Sequence, residues 1–113
     1  MLVLLRTTIL TNFALLGLTA VPIELWGTQA ATAAEVLEEY AAGVDALKRP
    51  RENWTYLKII TLSSDEQVLG ISMFSKLRMG ERSCLAVSMV RGAMLATDDQ
   101  LARRAAQKIR ALG

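Results

Sequence analysis

Short apolar runs alternate with amphipathic stretches along the whole chain. Strand patterns occur at residues 2–5, 29–32, 56–62 and 93–96, and the first and last are continuous apolar runs, typical of strands buried on both faces. Helical spacing of apolar residues predicts helices over 9–18, 33–47, 65–77 and 81–91, a short helix between Pro22 and Gly27, and a last one from Thr97 or Asp98 to about Arg110. This alternation predicts one α/β domain over residues 1–113, with a parallel central sheet and helices on both faces.

Hydroxyl side chains stand where helices are expected to begin. Thr7 and Thr8 precede the first helix, and Ser63 or Ser64 precedes the fourth. The spacing of Ser64 and Gln67 is that of a capping box, in which the two side chains bond reciprocally to the first-turn backbone. These residues are therefore predicted to cap their helices.

Composition narrows the chemistry that the chain can perform. It has no histidine and a single cysteine, Cys84. Histidine bases, Ser-His-Asp and Cys-His systems, His-ligated zinc and an intrachain disulfide are thereby excluded. A lone cysteine fits a reducing compartment, so a cytoplasmic protein is expected. Chemistry must come from carboxylates, hydroxyls and cations, and carboxylates suit Mg²⁺ or Mn²⁺.

The first 26 residues allow a different interpretation. They are mostly apolar, with Arg6 and Glu24 as their only charges, and small residues follow at 30–34. A signal peptide or membrane anchor is therefore an alternative. Against it, Arg6 comes after an apolar run instead of opening the chain, and Pro22 and Glu24 interrupt the stretch. We therefore favour a protein that does not associate with a membrane.

Charge is distributed unevenly along the chain. Residues 1–75 carry five basic and eight acidic side chains, a net charge of −3, whereas residues 76–113 carry eight basic and three acidic ones, a net charge of +5. A basic C-terminal third suits an anionic partner such as RNA, and Arg103, Arg104 and Lys108 on the last helix are the predicted contacts. The alternative is a basic helix face that only meets solvent.

Four carboxylates are candidates for a site. In the third helix Glu39 flanks the apolar stripe, whereas Glu38 projects opposite it. Glu81 opens a helix, and the other residues on the face that carries Glu81 are small and apolar. Asp98 and Asp99 follow a strand, and ligand sites of parallel sheets lie beyond the carboxyl ends of strands. Clustered carboxylates favour a divalent cation. Each also has an ordinary interpretation, as a first-turn acid or a helix cap.

Four segments, in this order, resemble the motifs of PIN domains, especially the VapC-like toxin-related group. They read TTILTNFA at residues 7–14, AEVLEEY at 34–40, GERSCLAV at 80–87 and LATDDQLARR at 95–104. The third and fourth are the most specific. Together they span nearly the whole chain.

The resemblance implies a three-layer PIN-like fold and a metal-dependent ribonuclease. By position, Glu39, Glu81 and Asp99 would be the catalytic and metal-binding carboxylates, with Asp98 beside them. In that family the acids hold Mg²⁺ or Mn²⁺ and hydrolyse RNA. Many members are toxins neutralised by an antitoxin protein, and many form homodimers.

The chain departs from the family at two places. The family has an aspartate at the end of the first strand, where this sequence has Arg6, and relatives usually continue into a further strand beyond the position of Gly113. We therefore expect a nucleic-acid-binding protein of ribonuclease descent whose hydrolysis is weakened or lost. The alternatives are an active Mg²⁺-dependent endoribonuclease toxin, with part of the metal site supplied by a dimer mate, and an exported or anchored small protein.

Arg6 itself is open to two interpretations. It can replace the metal as the internal counter-ion of Glu39, Glu81 and Asp99, since a guanidinium supplies a fixed positive charge and several hydrogen-bond donors. In that case the protein needs no cation to fold and binds Mg²⁺ poorly. The other interpretation turns Arg6 outward into solvent and leaves the site incomplete.

Overall fold

The computed structural model of the protein describes residues 1–46 and 50–96. Within these ranges a four-stranded, all-parallel sheet has the order β3-β2-β1-β4. The strands are β1 Val3–Leu4, β2 Ala30–Ala33, β3 Lys58–Ile60 and β4 Met94–Leu95. Five α-helices pack around the sheet: α1 Thr7–Leu15, α2 Val21–Trp26, α3 Ala34–Ala46, α4 Ser64–Phe74 and α5 Met79–Arg91. The predicted α/β class is confirmed, and the layout is consistent with a three-layer PIN-like fold.

The apolar N-terminal run forms an inner strand of the sheet. Val3 pairs with Ala30 on one side and with Met94 on the other. The Leu5 amide donates to the Ala31 carbonyl at 2.9 Å. The residues of β1 and β2 are fully buried, which explains why these strands contain only apolar residues and one threonine.

A buried polar contact joins β1 and β2. The Thr32 hydroxyl lies in the sheet interior and donates to the Leu5 carbonyl at 2.7 Å. Buried hydroxyls are costly unless they are bonded, so this contact allows a polar residue in a core strand. It also helps to fix the register of the two strands at their carboxyl ends, next to Arg6.

The start of α1 differs from the sequence prediction. The helix begins at Thr7, two residues earlier than expected, and ends at Leu15, three residues earlier. Its N-cap residue is Arg6, without a side-chain cap, so the prediction that Thr7 and Thr8 cap the helix is wrong. Both threonines lie inside the first turn, where the hydroxyls cannot serve as N-caps.

The cap of α4 lies one residue earlier than the predicted box. Ser63 is the N-cap: its hydroxyl accepts from the Glu66 amide at 3.2 Å, while the Glu66 carboxylate accepts from the Ser63 amide at 2.8 Å. Ser63 was one of the two predicted caps, but the box between Ser64 and Gln67 is wrong. The preceding strand and α4 itself are both shorter than the predicted 56–62 and 65–77.

An ion pair between a buried carboxylate and a partly exposed arginine joins the start of α4 to the end of α5. Glu66 is 1% exposed, and Arg91 donates to both of its carboxylate oxygens, from Nε at 2.7 Å and from Nη2 at 2.8 Å. Arg91 Nη2 also donates to the Thr61 carbonyl at 3.1 Å. One guanidinium therefore joins the segment after β3, the start of α4 and the last turn of α5. The fork geometry is the strong, bidentate kind of charged hydrogen bond.

Two further sequence predictions concern the last helix and a possible membrane anchor. The predicted last helix, after β4, lies outside the described residues. Among the helices of residues 1–46 and 50–96, none is long and apolar enough to cross a membrane. The apolar residues that suggested an anchor or leader form β1, α1 and α2 in this structure.

Candidate functional site

A small cleft lies at the carboxyl edge of the sheet. The chain passes from β1 through α1 to β2, continues outward to β3, and then returns to place β4 on the other side of β1. Parallel sheets bind ligands where the strand order reverses in this way. The cleft measures about 70 Å³, and its walls are formed by Arg6, Thr7, Thr8, Glu39, Arg78 and Glu81.

Arg6 lines this cleft and binds Glu81. It directly follows the inner strand β1, and Glu81 comes from the first turn of α5. The Arg6 Nη1 atom donates to Glu81 Oε1 at 3.1 Å. The two side chains are 28% and 38% exposed, so the pair is only partly shielded from water. Arg6 therefore does not turn away from the acids, and it provides Glu81 with a fixed counter-charge.

Glu39 reaches the same cleft from α3 and caps α5. Its Oε1 atom accepts a hydrogen bond from the Gly80 amide in the first turn of α5. An amide at a helix start has no partner within its own helix, and the helix dipole favours a negative charge there. Glu38 is exposed and Glu39 is half-buried, as the helical periodicity predicted. The carboxylate of Glu39 thus holds the start of α5 against α3.

Gly80 is required by this contact. A Cβ atom at position 80 would overlap Glu39 Oε1 and would lie 3.1 Å from the Val36 Cγ2 atom. Val36 is completely buried and cannot easily move. Gly80, which lies between the predicted helices 65–77 and 81–91, is therefore the residue that lets the α3 carboxylate reach the α5 backbone.

The Gly80→Ala substitution is expected to lower the free energy of unfolding by about 1–2 kcal/mol. Displacing Glu39 removes a cap of about 1 kcal/mol, and crowding Val36 adds to the loss, whereas the higher helix propensity of alanine returns at most about 1 kcal/mol. Urea denaturation measures the change.

Gly70→Ala is the matched control. A Cβ there would meet its nearest neighbours, Ala86 Cβ and Arg82 Cγ among them, only at ordinary contact distances of 3.7 Å. That variant should be stabilised by about 0.5–1 kcal/mol through helix propensity. Stabilisation of Gly80→Ala to the same degree would disprove the capping role of Glu39.

The structure brings together only part of the predicted site. Glu39, Glu81 and Arg6 line one cleft. The ion pair of Arg6 with Glu81 is the contact expected of Arg6 as a counter-ion, whereas the hydrogen bond from the Gly80 amide to Glu39 was not predicted. The other predicted site residues lie outside the described residues; they are Asp98, Asp99, Arg103, Arg104 and Lys108.

Three cleft residues were missed as site residues by the sequence analysis. Thr7 and Thr8 were assigned to helix capping, and Arg78 was not singled out. The threonines directly follow Arg6 at a strand end, which is a usable signal. Arg78 lies in a connection between two helices, and no sequence pattern places it near β1.

The described residues do not form a metal site of the kind that the resemblance implies. None of their histidine, cysteine, aspartate and glutamate side chains form a group of three or more that could hold a metal ion. Two carboxylates face this cleft, and one of them already binds a guanidinium.

Cys84 is not a candidate nucleophile. It is completely buried on α5, and burial raises the pKa of its thiol to about 12. The thiolate is the reactive form of cysteine, so the side chain stays protonated and inert at neutral pH. Its role is to fill the core between α5 and the sheet.

Comparisons with known proteins leave the family open. No protein family model, no curated protein and no solved structure matches the chain. The resemblance to PIN domains therefore rests on the sequence motifs alone.

Proposed function

We propose that the protein is a cytoplasmic nucleic-acid-binding protein of PIN-like ribonuclease descent, in which Arg6 has replaced the metal ion and hydrolysis is weakened or lost. The observation that carries the proposal is the hydrogen-bonded ion pair between Arg6 and Glu81, in a cleft that Glu39 also lines. The pair occupies the strand-end position at which the resembling family has an acidic metal ligand.

Charge balance in the cleft supports this proposal. Neighbouring carboxylates repel each other unless a positive charge lies among them. Glu39 accepts a hydrogen bond from a backbone amide, and Glu81 accepts one from the Arg6 guanidinium. Each described carboxylate of the cleft therefore already has a hydrogen-bond donor. A divalent cation would have to displace the guanidinium of Arg6, which carries a fixed positive charge.

Binding of RNA is supported by the distribution of charge. Residues 76–113 carry a net charge of +5, and one of these cations, Arg78, lines the cleft. Arginine and lysine contacts to phosphates supply sequence-independent affinity for RNA. The chain would therefore still bind RNA although the hydrolytic centre has changed.

Reversing the charge of Arg103 and Arg104 together is expected to weaken binding of single-stranded RNA at least tenfold at low salt. Each phosphate contact that is lost also lowers the salt dependence of binding, by about 0.7 in the logarithmic slope for single strands. Fluorescence anisotropy with a labelled oligonucleotide, repeated at several salt concentrations, measures both quantities.

Lys48 and Arg49 are also two consecutive basic residues, so reversing both charges changes the net charge by the same amount and provides a matched control. The Lys48→Glu, Arg49→Glu variant should retain most of the affinity of the wild type. Equal losses in the two double variants would show a general charge effect, and no loss in either would refute RNA binding through the last segment. Mg²⁺-dependent cleavage of the oligonucleotide by the wild type would favour the active endoribonuclease.

A further inference from the structure

The cleft has hydrogen-bond donors that its own carboxylates do not use. Four of its six lining residues, Arg6, Thr7, Thr8 and Arg78, carry guanidinium or hydroxyl groups. Among the described residues Arg78 forms no ion pair, and its side chain is exposed. Glu39 and Glu81, by contrast, already accept hydrogen bonds from the Gly80 amide and from Arg6. Four side chains of the cleft can therefore donate hydrogen bonds, beside two carboxylates that already accept them.

Two of these polar atoms are buried and unbonded. Arg6 Nε and Thr7 Oγ1 have no hydrogen-bond partner in the described structure. Arg6 contacts Glu81 through Nη1 alone, although a guanidinium has five N–H groups. Buried donors are nearly always satisfied in native proteins, because leaving one unbonded is unfavourable. Arg6 and Thr7, which both line the cleft, therefore each have a polar atom that the described residues leave unbonded.

The start of α1 also favours a negatively charged ligand in the cleft. The nine-residue helix α1 begins at Thr7, without a side-chain cap and without an acid in its first turn. Its first amides have no partner within the helix, and the helix dipole is positive at this end. The two residues that precede α1 and α5, Arg6 and Arg78, are both arginines that line the cleft.

We propose that this cleft binds a phosphate group, held by Arg6, Arg78 and the hydroxyls of Thr7 and Thr8. The inference rests on the proposed function, because a guanidinium in place of a cation converts a metal-binding position into an anion-binding one. A tetrahedral group with several acceptor oxygens can accept from donors on α1 and in front of α5 at once. The cleft, of about 70 Å³, has room for a group of that size.

The test is a titration of the full-length chain with inorganic phosphate, followed by ¹H–¹⁵N NMR at ionic strength held constant with sodium chloride. We expect saturable shifts of the Thr7 and Thr8 amides. The Arg78→Gln variant should bind phosphate about tenfold more weakly, the loss expected for one charged hydrogen bond. Lys76→Gln is the matched control, since Lys76 is exposed, lies two residues away and does not line the cleft.

The outcomes separate this inference from the proposed function. Absence of shifts at Thr7 and Thr8, or equal affinity in Arg78→Gln and Lys76→Gln, overturns the phosphate site even if RNA binds as predicted above. Saturable shifts that Arg78→Gln weakens support it even if RNA does not bind.

Dinucleotides with and without a 5′-phosphate identify the source of the group. Stronger competition by the phosphorylated one assigns a terminal phosphate, and equal competition assigns the internal phosphodiester. Failure of both to compete with inorganic phosphate assigns the free ion. Each of these results supports a phosphate site.

Discussion

The Arg91→Ala substitution is expected to lower the free energy of unfolding by about 2–3 kcal/mol. It leaves the carboxylate of Glu66, which is 1% exposed, without the bidentate partner that neutralises it. It also removes the hydrogen bond to the Thr61 carbonyl. Removing one partner of a fully buried pair costs about 3–5 kcal/mol. We expect the smaller loss of about 2–3 kcal/mol because Arg91 is 37% exposed, so water can partly replace its hydrogen bonds to Glu66.

Two further variants test the cause of this loss. Arg91→Lys keeps the charge but not the planar fork, so it should lose about half as much stability as Arg91→Ala. Lys76→Ala removes an exposed cation and should change stability by less than about 0.5 kcal/mol. Urea denaturation measures all three. A loss in Arg91→Ala no larger than that in Lys76→Ala would show that the pair does not stabilise the fold.

The same pair predicts how stability depends on pH. Hydrogen bonds from Arg91, opposed in part by burial, lower the pKa of Glu66 from 4.5 to about 2. The folded state therefore holds the ionised form more strongly than the unfolded state does. This contribution, about 2–3 kcal/mol, is present above pH 4.5 and is lost as the pH falls towards 2. Arg91→Ala should flatten the stability profile in that window, and an unchanged profile would assign the acid sensitivity to other groups.

The Arg6→Asp substitution should have the largest effect on function. It would place three carboxylates around the cleft, including those of Glu39 and Glu81, and remove the guanidinium that balances them. Without a cation we expect a loss of about 1–2 kcal/mol, from the broken pair and from the repulsion of like charges. Mn²⁺ should restore this loss, because a ligand present at 100 times its Kd stabilises the folded state by about 2.7 kcal/mol.

The control for this prediction is Arg6→Met, which removes the charge without adding a carboxylate. It should lose the ion pair with Glu81 but gain no response to Mn²⁺. The wild type, Arg6→Asp and Arg6→Met are compared by thermal unfolding with and without Mn²⁺. A midpoint that rises with Mn²⁺ in Arg6→Met as much as in Arg6→Asp would show that the cation binds elsewhere.

Local patterns predicted the elements of the fold but not the contacts between distant segments. The periodicity of α3 placed Glu39 beside the apolar stripe, and the apolar run of residues 2–5 indicated a buried strand. The Glu66–Arg91 pair joins residues 25 positions apart and was not predicted. The Arg6–Glu81 pair joins residues 75 positions apart, and only the family resemblance suggested it, as one of two interpretations of Arg6. Such pairs depend on the order of the strands, which the alternation of elements does not determine.

The errors at helix starts have a physical cause. Ser63 and Ser64 are equivalent in a spacing argument, but only a residue with extended backbone can cap, and that is Ser63. Thr7 and Thr8 failed as caps because β1 ends early enough for Arg6 to take the N-cap position. The contact of Gly80 with Glu39 was not predicted, because it depends on how α3 and α5 pack.

Calorimetric titration of Mn²⁺ into the wild type and into Arg6→Asp tests most directly whether Arg6 replaces the metal. We predict no saturable Mn²⁺ binding by the wild type and clear binding by Arg6→Asp, accompanied by RNA hydrolysis only in the variant. Tight Mn²⁺ binding by the wild type, unaltered by the substitution, would contradict the account.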